Sequence, residues 1–182
     1  MAKIVNTAYG EALFELALEK NTIDTCAEEI RFVKSAFAEN VDLVKILTHP
    51  KISREEKIKI IENIFKGRVS DDITGLLVLV TEKGHAGDFN GIFDEFLAKV
   101  REYKKIGVAF VTSAMELSQE QKKQIEQKLL KTTEYVKFEM NYGVDASLIG
   151  GLVIRIGDRV VDNSIKTKLS LLSQKLSKIQ LS

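Results

Sequence analysis

The sequence predicts an α+β fold, in which an N-terminal six-helix bundle over residues 1–105 is followed by a small α/β domain over residues 106–182. Apolar residues recur every three to four positions through the first part of the chain, a spacing typical of amphipathic helices. In the second part, short segments alternate apolar and polar residues, as half-buried strands do. The second domain should therefore contain a mixed sheet of about four strands and two helices.

The first three helices follow from apolar periodicity and from the single proline. The stripe of the first helix consists of Val5, Ala8, Tyr9, Ala12, Leu13, Leu16 and Ala17. Gly10 lies inside this helix and should weaken it slightly. The second helix should run over about residues 22–38. The third should cover residues 41–47 and end near His49, because a residue that precedes a proline disfavours the helical conformation.

The next three helices have recognisable start signals. Ser53 and Glu56 form a capping box, in which each residue's side chain satisfies the other's backbone amide. Ser70 is followed by two aspartates, and acidic side chains suit the positive N-terminal end of a helix. Gly84 should end this fifth helix. A sixth helix should begin at Asp88.

The fifth helix is apolar on almost every side, because residues 76–80 are all Leu or Val. Such a run also suits a buried strand, but the start and end signals and the helical neighbours favour a helix. A helix that is apolar all round should be buried. It is therefore either central in the bundle, or one of its sides forms a groove that binds an amphipathic helix of a partner.

The second domain shows strand and helix patterns in alternation. Strands are expected at residues 108–112, 136–142, 152–156 and 159–161. Gly157 and Asp158 should form the hairpin turn between the last two strands. Ser118 and Gln121 form a second capping box, which should start a helix that ends near residue 131. A last helix should begin near Ser164.

The last helix has a heptad-like apolar seam, with residues spaced alternately by four and three positions. The seam consists of Ile165, Leu169, Leu172, Leu176 and Ile179. We expect it to pack on the sheet. The lysines beside it should then form a basic edge that faces solvent or a partner; they are Lys166, Lys168, Lys175 and Lys178.

Composition argues against several classes of function. Lys and Arg number 27 and Asp and Glu number 26, giving a net charge of +1, which makes non-specific nucleic-acid binding a poor candidate. Two histidines and one cysteine cannot supply the four ligands of a standard zinc site. There is no glycine-rich phosphate loop. We therefore expect no catalytic residues, no metal and no cofactor.

An alternative stays open, namely a small α+β enzyme or an RNA-binding module without a recognisable active-site motif. Phe110, Phe138 and Tyr142 on the predicted strands could stack on bases, but the ribonucleoprotein motif is absent. We therefore expect these three rings to pack in the core.

The chain also lacks the signals of export and membrane insertion. Its longest unbroken apolar run, residues 76–80, is far shorter than the roughly 20 residues of a membrane-spanning helix. Acidic residues in the first helix are unlike a secretion signal. A single cysteine allows no disulfide framework and suits a reducing compartment. These features favour a cytoplasmic location.

Four segments resemble one family over essentially the whole chain. They are Tyr9–Ala17, His49–Lys57, Leu148–Asp158 and Val161–Ile165. In this order they resemble the delta subunits of bacterial F-type ATP synthase and their mitochondrial relatives, the oligomycin-sensitivity proteins. The Leu148–Asp158 segment is the most specific of the four. Its family signature residues are Gly150, Gly151, Gly157 and Asp158, which we expect to shape the fold rather than to touch a partner.

The resemblance implies a non-catalytic stator subunit. Members of this family link the catalytic alpha/beta head to the membrane-anchored b subunits, so that the head resists rotor torque during proton-driven ATP synthesis. The resemblance implies that the bundle binds the N-terminal helix of an alpha subunit and that residues 106–182 bind the C-terminal end of the b subunits. Membrane association would then be indirect, through the complex, at the cytoplasmic face of the inner membrane.

The alpha helix is expected in a groove between the first and fifth helices. Carried over to this sequence, the groove residues are Tyr9, Ala12, Leu13, Leu16, Leu76, Leu77 and Val80. If they line an open groove, an aspartate at Leu13 or Leu77 should weaken alpha binding while the bundle stays folded.

Overall fold

The computed structural model describes the backbone of residues 2–179 and the side chains of residues 3–173. Over this range the chain forms eight α-helices and one four-stranded sheet. Six helices precede the first strand: α1 (Ala2–Glu19), α2 (Ile23–Glu39), α3 (Val41–Thr48), α4 (Arg54–Phe65), α5 (Asp71–Glu82) and α6 (Phe89–Tyr103). The rest comprises β1 (Ile106–Ser113), α7 (Gln119–Thr132), β2 (Lys137–Val144), β3 (Leu152–Ile156), β4 (Arg159–Asp162) and α8 (Ile165–Ile179).

The chain divides into two compact units. The helical unit comprises Met1–Arg101 and the sheet unit comprises Glu102–Ser182. The division falls four residues before the boundary expected from sequence, because the end of α6 is grouped with the sheet.

The helical unit has one apolar core, to which all six of its helices contribute. Four phenylalanines lie at its centre. The ring of Phe37 on α2 lies 5.7 Å from that of Phe65, 5.2 Å from that of Phe89 and 6.1 Å from that of Phe93. Aromatic pairs at such distances stabilise a fold by more than the burial of their apolar area alone. This cluster therefore stabilises the packing of α2, α4 and α6 against one another.

Most of the helix ends described in this unit are set by hydrogen bonds between residues that are close in the sequence. The capping box of Ser53 and Glu56 is confirmed, with both reciprocal hydrogen bonds in place. Gly84 has a φ of +79° and ends α5 as predicted. The amide of Gly84 donates to Thr81 and that of His85 donates to Val80, which is the Schellman arrangement. The helix identity of α5 is thus confirmed against the strand alternative.

Ser70 begins α5 in a different way from the one its side chain suggests. It occupies the N-cap position, but its hydroxyl caps no amide of the helix. Instead, its Oγ donates a hydrogen bond of 2.6 Å to Oε2 of Glu29 on α2. A contact with another helix has replaced the local cap.

The sheet confirms the prediction of a four-stranded mixed sheet. Its order is β2–β1–β3–β4, with β1 and β2 parallel and the other two pairs antiparallel. The hairpin at Gly157 and Asp158 joins β3 to β4. Helix α7, capped by Ser118 and Gln121 as predicted, covers one face of the sheet. The small core beneath it is built on Ala109, Leu129 and Phe138.

Helix α8 departs from the prediction. Its apolar seam was expected to pack on the sheet, yet Ile165, Leu169 and Leu172 are 42%, 51% and 53% exposed. The side chains of Leu176 and Ile179 lie outside the described residues. Over its first two turns, therefore, α8 leaves an apolar face uncovered.

Candidate partner-binding surfaces

Helices α1 and α5 are antiparallel neighbours. Lys20, just after α1, has its Nζ 2.7 Å from both carboxylate oxygens of Asp72 in the first turn of α5. At the other end, the ring of Tyr9 on α1 lies 6.5 Å from that of His85, just after α5. Because the order of these contacts is reversed along the two helices, α1 and α5 run in opposite directions between them.

The structure places the seven expected groove residues at different depths. Leu13, Leu76, Leu77 and Val80 are buried in the core of the helical unit, Leu77 and Val80 with no exposed surface. Tyr9 and Leu16 are half-buried, and only Ala12 is exposed.

The expectation for an aspartate at Leu13 or Leu77 therefore needs correction. Each is already covered by the unit's own side chains. A charge there would lie in an apolar interior and would unfold the unit rather than merely block a surface.

Two further positions on α5 are exposed, and neither was among the groove residues predicted from the sequence. Leu79 is 42% exposed, and Gly75 is exposed with no atom within 4 Å of the position its Cβ would take. Leu79 follows Asp72 by seven residues, or about two helical turns, so both lie on the side of α5 that faces α1. The sequence carried no signal for this side of α5, because it is marked only by the contact of Asp72 with Lys20 in the structure. We call Tyr9, Ala12, Leu16, Gly75 and Leu79 the α1–α5 surface.

Two of the three glycines of the Leu148–Asp158 segment, Gly150 and Gly151, lie against the start of α8. A Cβ at Gly151, whose φ is +79°, would lie 2.3 Å from the carbonyl oxygen of Asn163. A Cβ at Gly150 would lie 2.6 Å from Cδ1 of Ile165. The amide of Ile165 also donates to the carbonyl of Gly150 at 2.9 Å. At Gly151 the clash is with backbone, so only glycine allows the start of α8 to approach this closely there. At Gly150 the clash is with the end of the Ile165 side chain.

Asp162, at the end of β4, also fixes the start of α8 through hydrogen bonds. Its carboxylate accepts hydrogen bonds from the Thr167 hydroxyl at 2.7 Å and from the Ser164 amide at 2.8 Å. The bond from Thr167, and then the bond from Ser164, hold the pKa of Asp162 below its ordinary value. Ser164 is fully buried and accepts the amide of Thr167 at 3.2 Å. The direction of α8 is thus set by polar contacts at its first turn.

Gly157 and Asp158 have a separate role in the turn between β3 and β4. Gly157 has a φ of +54°, a conformation that favours glycine in tight hairpins. No atom lies within 4 Å of the position of its Cβ. The need for glycine here is therefore conformational.

Three exposed apolar residues that share one side of α8, Ile165, Leu169 and Leu172, form what we call the α8 face. Leu171 is also exposed, at 52%, but its spacing places it on another side of the helix. Lys166 and Lys168 are exposed beside it. Lys166 Nζ lies 3.5 Å from Oγ of Ser147, on the 3₁₀ turn Ala146–Leu148. This is an apolar strip with a positive flank.

The aromatic residues of the sheet only partly follow the prediction. Phe138 is buried, but Phe110 and Tyr142 are partly exposed. The guanidinium of Arg155 lies 4.8 Å from the ring centre of Phe110, and Nζ of Lys122 lies 5.1 Å from that of Tyr142. Both exposed rings are thus paired with cations of the same unit, a reason for their presence that does not involve bases.

Polar side chains elsewhere in the described part of the chain do not group into a metal site. No group of three or more His, Cys, Asp or Glu side chains within residues 3–173 could hold a metal ion. Cys26 is buried, with its Sγ 3.6 Å from Oγ1 of Thr22. No helix in the described part of the chain is both long and apolar enough to span a bilayer.

Comparison with known proteins gives a consistent result. The family model for the ATP synthase delta (OSCP) subunit matches residues 5–176. ATP synthase subunit delta of Lachnoclostridium phytofermentans is 63% identical over 181 residues, covering all of both chains. The subunit delta of Halalkalibacterium halodurans is 37% identical over 172 residues, covering 94% of each chain.

A solved structure shares the fold. A chain in the cryo-EM structure of the Toxoplasma gondii mitochondrial ATP synthase hexamer aligns with a TM-score of 0.71 at 20% identity, over 94% of this chain and 96% of that one. The family-model match and the two relatives show that the protein belongs to the ATP synthase delta (OSCP) subunit family, whose members are structural, non-catalytic subunits of the peripheral stalk of F-type ATP synthase.

Proposed function

We propose that this subunit is a two-ended link within the stalk. In this proposal the helical unit, acting as the expected six-helix bundle, binds the N-terminal helix of an alpha subunit. The sheet unit binds the C-terminal end of the b subunits at the cytoplasmic face of the inner membrane. The observation that carries the proposal is that each unit leaves an apolar helical surface uncovered, the α1–α5 surface in one and the α8 face in the other.

The α1–α5 surface suits a foreign helix. Ala12 and Gly75 are small and exposed, so another backbone can approach closely there. Leu16 and Leu79 offer apolar side chains, and the Lys20–Asp72 ion pair marks one end. Amphipathic helices bind such grooves through residues spaced by three and four positions. The buried Leu13, Leu77 and Val80 support this surface from below.

A mechanical link requires tight binding at both ends. Nanomolar affinity corresponds to about −12 kcal/mol, and a specific complex typically buries roughly 800 Å² on each partner. Apolar contact along a helix can supply such affinity without nucleotide or proton transfer. It also spreads load over several turns, which suits a subunit that resists torque.

The alpha contact can be tested by titrating a synthetic alpha N-terminal peptide into the full chain. Leu79→Asp should weaken binding at least tenfold, because it places a carboxylate in the apolar contact. Val41→Asp is a matched control, since Val41 is also an exposed apolar helical residue but lies at the start of α3. Equal affinities for the two variants, with unchanged circular dichroism, would refute this surface.

The b contact is tested in the same way with a soluble C-terminal fragment of the b subunit. Leu172→Asp on the α8 face should weaken binding at least tenfold. Val160→Asp on β4 is the control, because Val160 has a similar exposure at 58%. If only the Val160 variant loses affinity, the b contact lies on the sheet and not on α8.

A further inference from the structure

Three glutamates follow one another every four residues along α1, and they differ in their partners. Oε1 of Glu11 lies 2.7 Å from Nζ of Lys99 on α6. Glu15 and Glu19 are exposed, and neither forms an ion pair with another residue in the described part of the chain. Like charges four residues apart on a helix repel each other. The isolated chain thus keeps two adjacent carboxylates that do not stabilise α1.

Helical spacing places both of these carboxylates along the α1–α5 surface. Glu19 follows Leu16 by three residues and Ala12 by seven, so it lies on the side of α1 that forms this surface. Glu15 follows Ala12 by three residues and borders the same side. Glu19 is also the last residue of α1, so it lies at the end of the surface that Lys20 marks.

Helix α5 contributes a carboxylate at the same end. Asp71 is exposed in the first turn of α5 and precedes Gly75 by four residues, so the two share a side of the helix. The nearby cations do not neutralise this end. Lys20 is held by both carboxylate oxygens of Asp72, and Arg68, three residues before Asp71, balances at most the charge of Asp71. The charges of the two glutamates of α1 therefore remain.

The other end of the surface is closer to electrical balance. Glu82, the last residue of α5, and Lys83 directly after it are both exposed, so their charges offset each other. Oδ2 of Asp88 lies 3.3 Å from Nδ1 of His85. The two ends of the apolar surface thus differ, with the excess of negative charge at the end where α1 finishes.

We propose that the helix that binds the α1–α5 surface is basic as well as amphipathic, and that its lysine or arginine side chains pair with Glu15 and Glu19 beside its apolar stripe. This rests on the proposed function, in which that helix is the N-terminal helix of an alpha subunit. Apolar contact supplies most of the affinity. The carboxylates attract the basic helix and set its register, because charges at the rim of an interface act mainly on association rate and on specificity.

The test compares Glu19→Lys with Glu39→Lys in the full chain. Glu39 is a matched control, because it is also exposed, is the last residue of α2 and forms no ion pair within the described residues. It lies about 24 Å along α2 from the start of that helix. A synthetic alpha N-terminal peptide should bind the Glu19 variant about tenfold more weakly than the control at low salt, about 50 mM.

Salt and kinetics show whether the loss is electrostatic. At about 500 mM salt the difference between the two variants should shrink to less than about threefold, because the screening length shortens. The loss should appear mainly in the association rate constant, measured by surface plasmon resonance. Equal affinities at low salt, or a loss that persists at high salt, would overturn the proposal. So would an alpha N-terminal helix that carries no lysine or arginine beside its apolar stripe.

Leu79→Asp separates this inference from the proposed function. If Leu79→Asp weakens binding and Glu19→Lys does not, the alpha contact stands and its basic character is refuted. If neither variant weakens binding, both proposals fall. Thermal unfolding checks the remaining premise. Glu19→Lys and Glu39→Lys should both keep or slightly raise the Tm, because lysine suits the C-terminal end of a helix. A lower Tm for the Glu19 variant alone would show that this carboxylate serves the fold, which also overturns the inference.

Discussion

Two glycines inside helices illustrate how far a single residue depends on its surroundings. The sequence predicts that Gly10 weakens α1, and a helix-interior glycine does cost backbone entropy. The structure adds that a Cβ at Gly10 would lie 2.9 Å from Cβ of Glu95 and 3.1 Å from the amide nitrogen of Phe96. Helices α1 and α6 approach each other closely at this point. Gly75 on α5 faces open space instead.

Alanine should therefore have opposite effects at the two positions. Gly75→Ala should stabilise the protein by about 0.5–1 kcal/mol, because it reduces the entropy of the unfolded chain without a clash. Gly10→Ala should destabilise it by about 1–3 kcal/mol, because α1 and α6 must move apart. Urea unfolding measures both changes. A stabilising Gly10→Ala would mean that the two helices are not in close contact.

The leucines of α5 offer a second residue-scale prediction. Leu77→Ala should lower the free energy of unfolding by about 2–5 kcal/mol, since Leu77 is fully buried. Leu79→Ala should change it by less than about 1 kcal/mol, because much of that side chain is exposed. Chemical denaturation of the two variants checks this difference. Similar losses would place Leu79 in the core and remove it from the α1–α5 surface.

At the scale of helices and strands, the sequence predicts what depends on neighbours along the chain. Capping boxes and the turn at Gly157 involve residues a few positions apart, and all of them are confirmed. The bond from Ser70 to Glu29 spans 41 residues, so the local pattern could not reveal it. The same holds for α8, because a periodic seam shows which face is apolar but not whether the fold covers it.

The junction before α8 should make stability depend on pH. The folded pKa of Asp162 is lowered by its hydrogen bonds to Thr167 and Ser164. A lowered folded pKa means that this stabilisation is complete above the unfolded pKa and is lost as pH falls through the folded value. Asp162→Asn should therefore reduce the loss of stability between about pH 5 and pH 2, measured by urea unfolding. An unchanged pH profile would contradict the contribution of this carboxylate.

At the scale of the whole molecule, the order of helices and strands is readable from sequence because each pattern is local. The assignment of site residues is less complete. Of the seven predicted groove residues, four lie in the core, two are half-buried and one is exposed; they are, in that order, Leu13, Leu76, Leu77 and Val80, then Tyr9 and Leu16, and then Ala12. Apolar periodicity alone does not distinguish a side chain that supports a groove from one that lines it.

The division after Arg101 predicts independent folding of the helical unit. A fragment of residues 1–104 keeps all the core residues of that unit, so it should be helical by circular dichroism and unfold cooperatively. It should also bind the alpha peptide with the affinity of the full chain. A fragment without a cooperative transition would show that its core requires residues beyond 104.

The position of β1 within the sheet has a consequence for synthesis on the ribosome. This strand pairs with β2 on one side and β3 on the other, and the parallel partner is reached only through the α7 crossover. Its hydrogen-bonding partners are therefore complete only after Ile156 has been translated and has left the exit tunnel. Local helical contacts form faster than such distant pairings. We therefore expect the N-terminal half of a nascent chain to acquire its native structure, and its capacity for assembly, before the C-terminal half does.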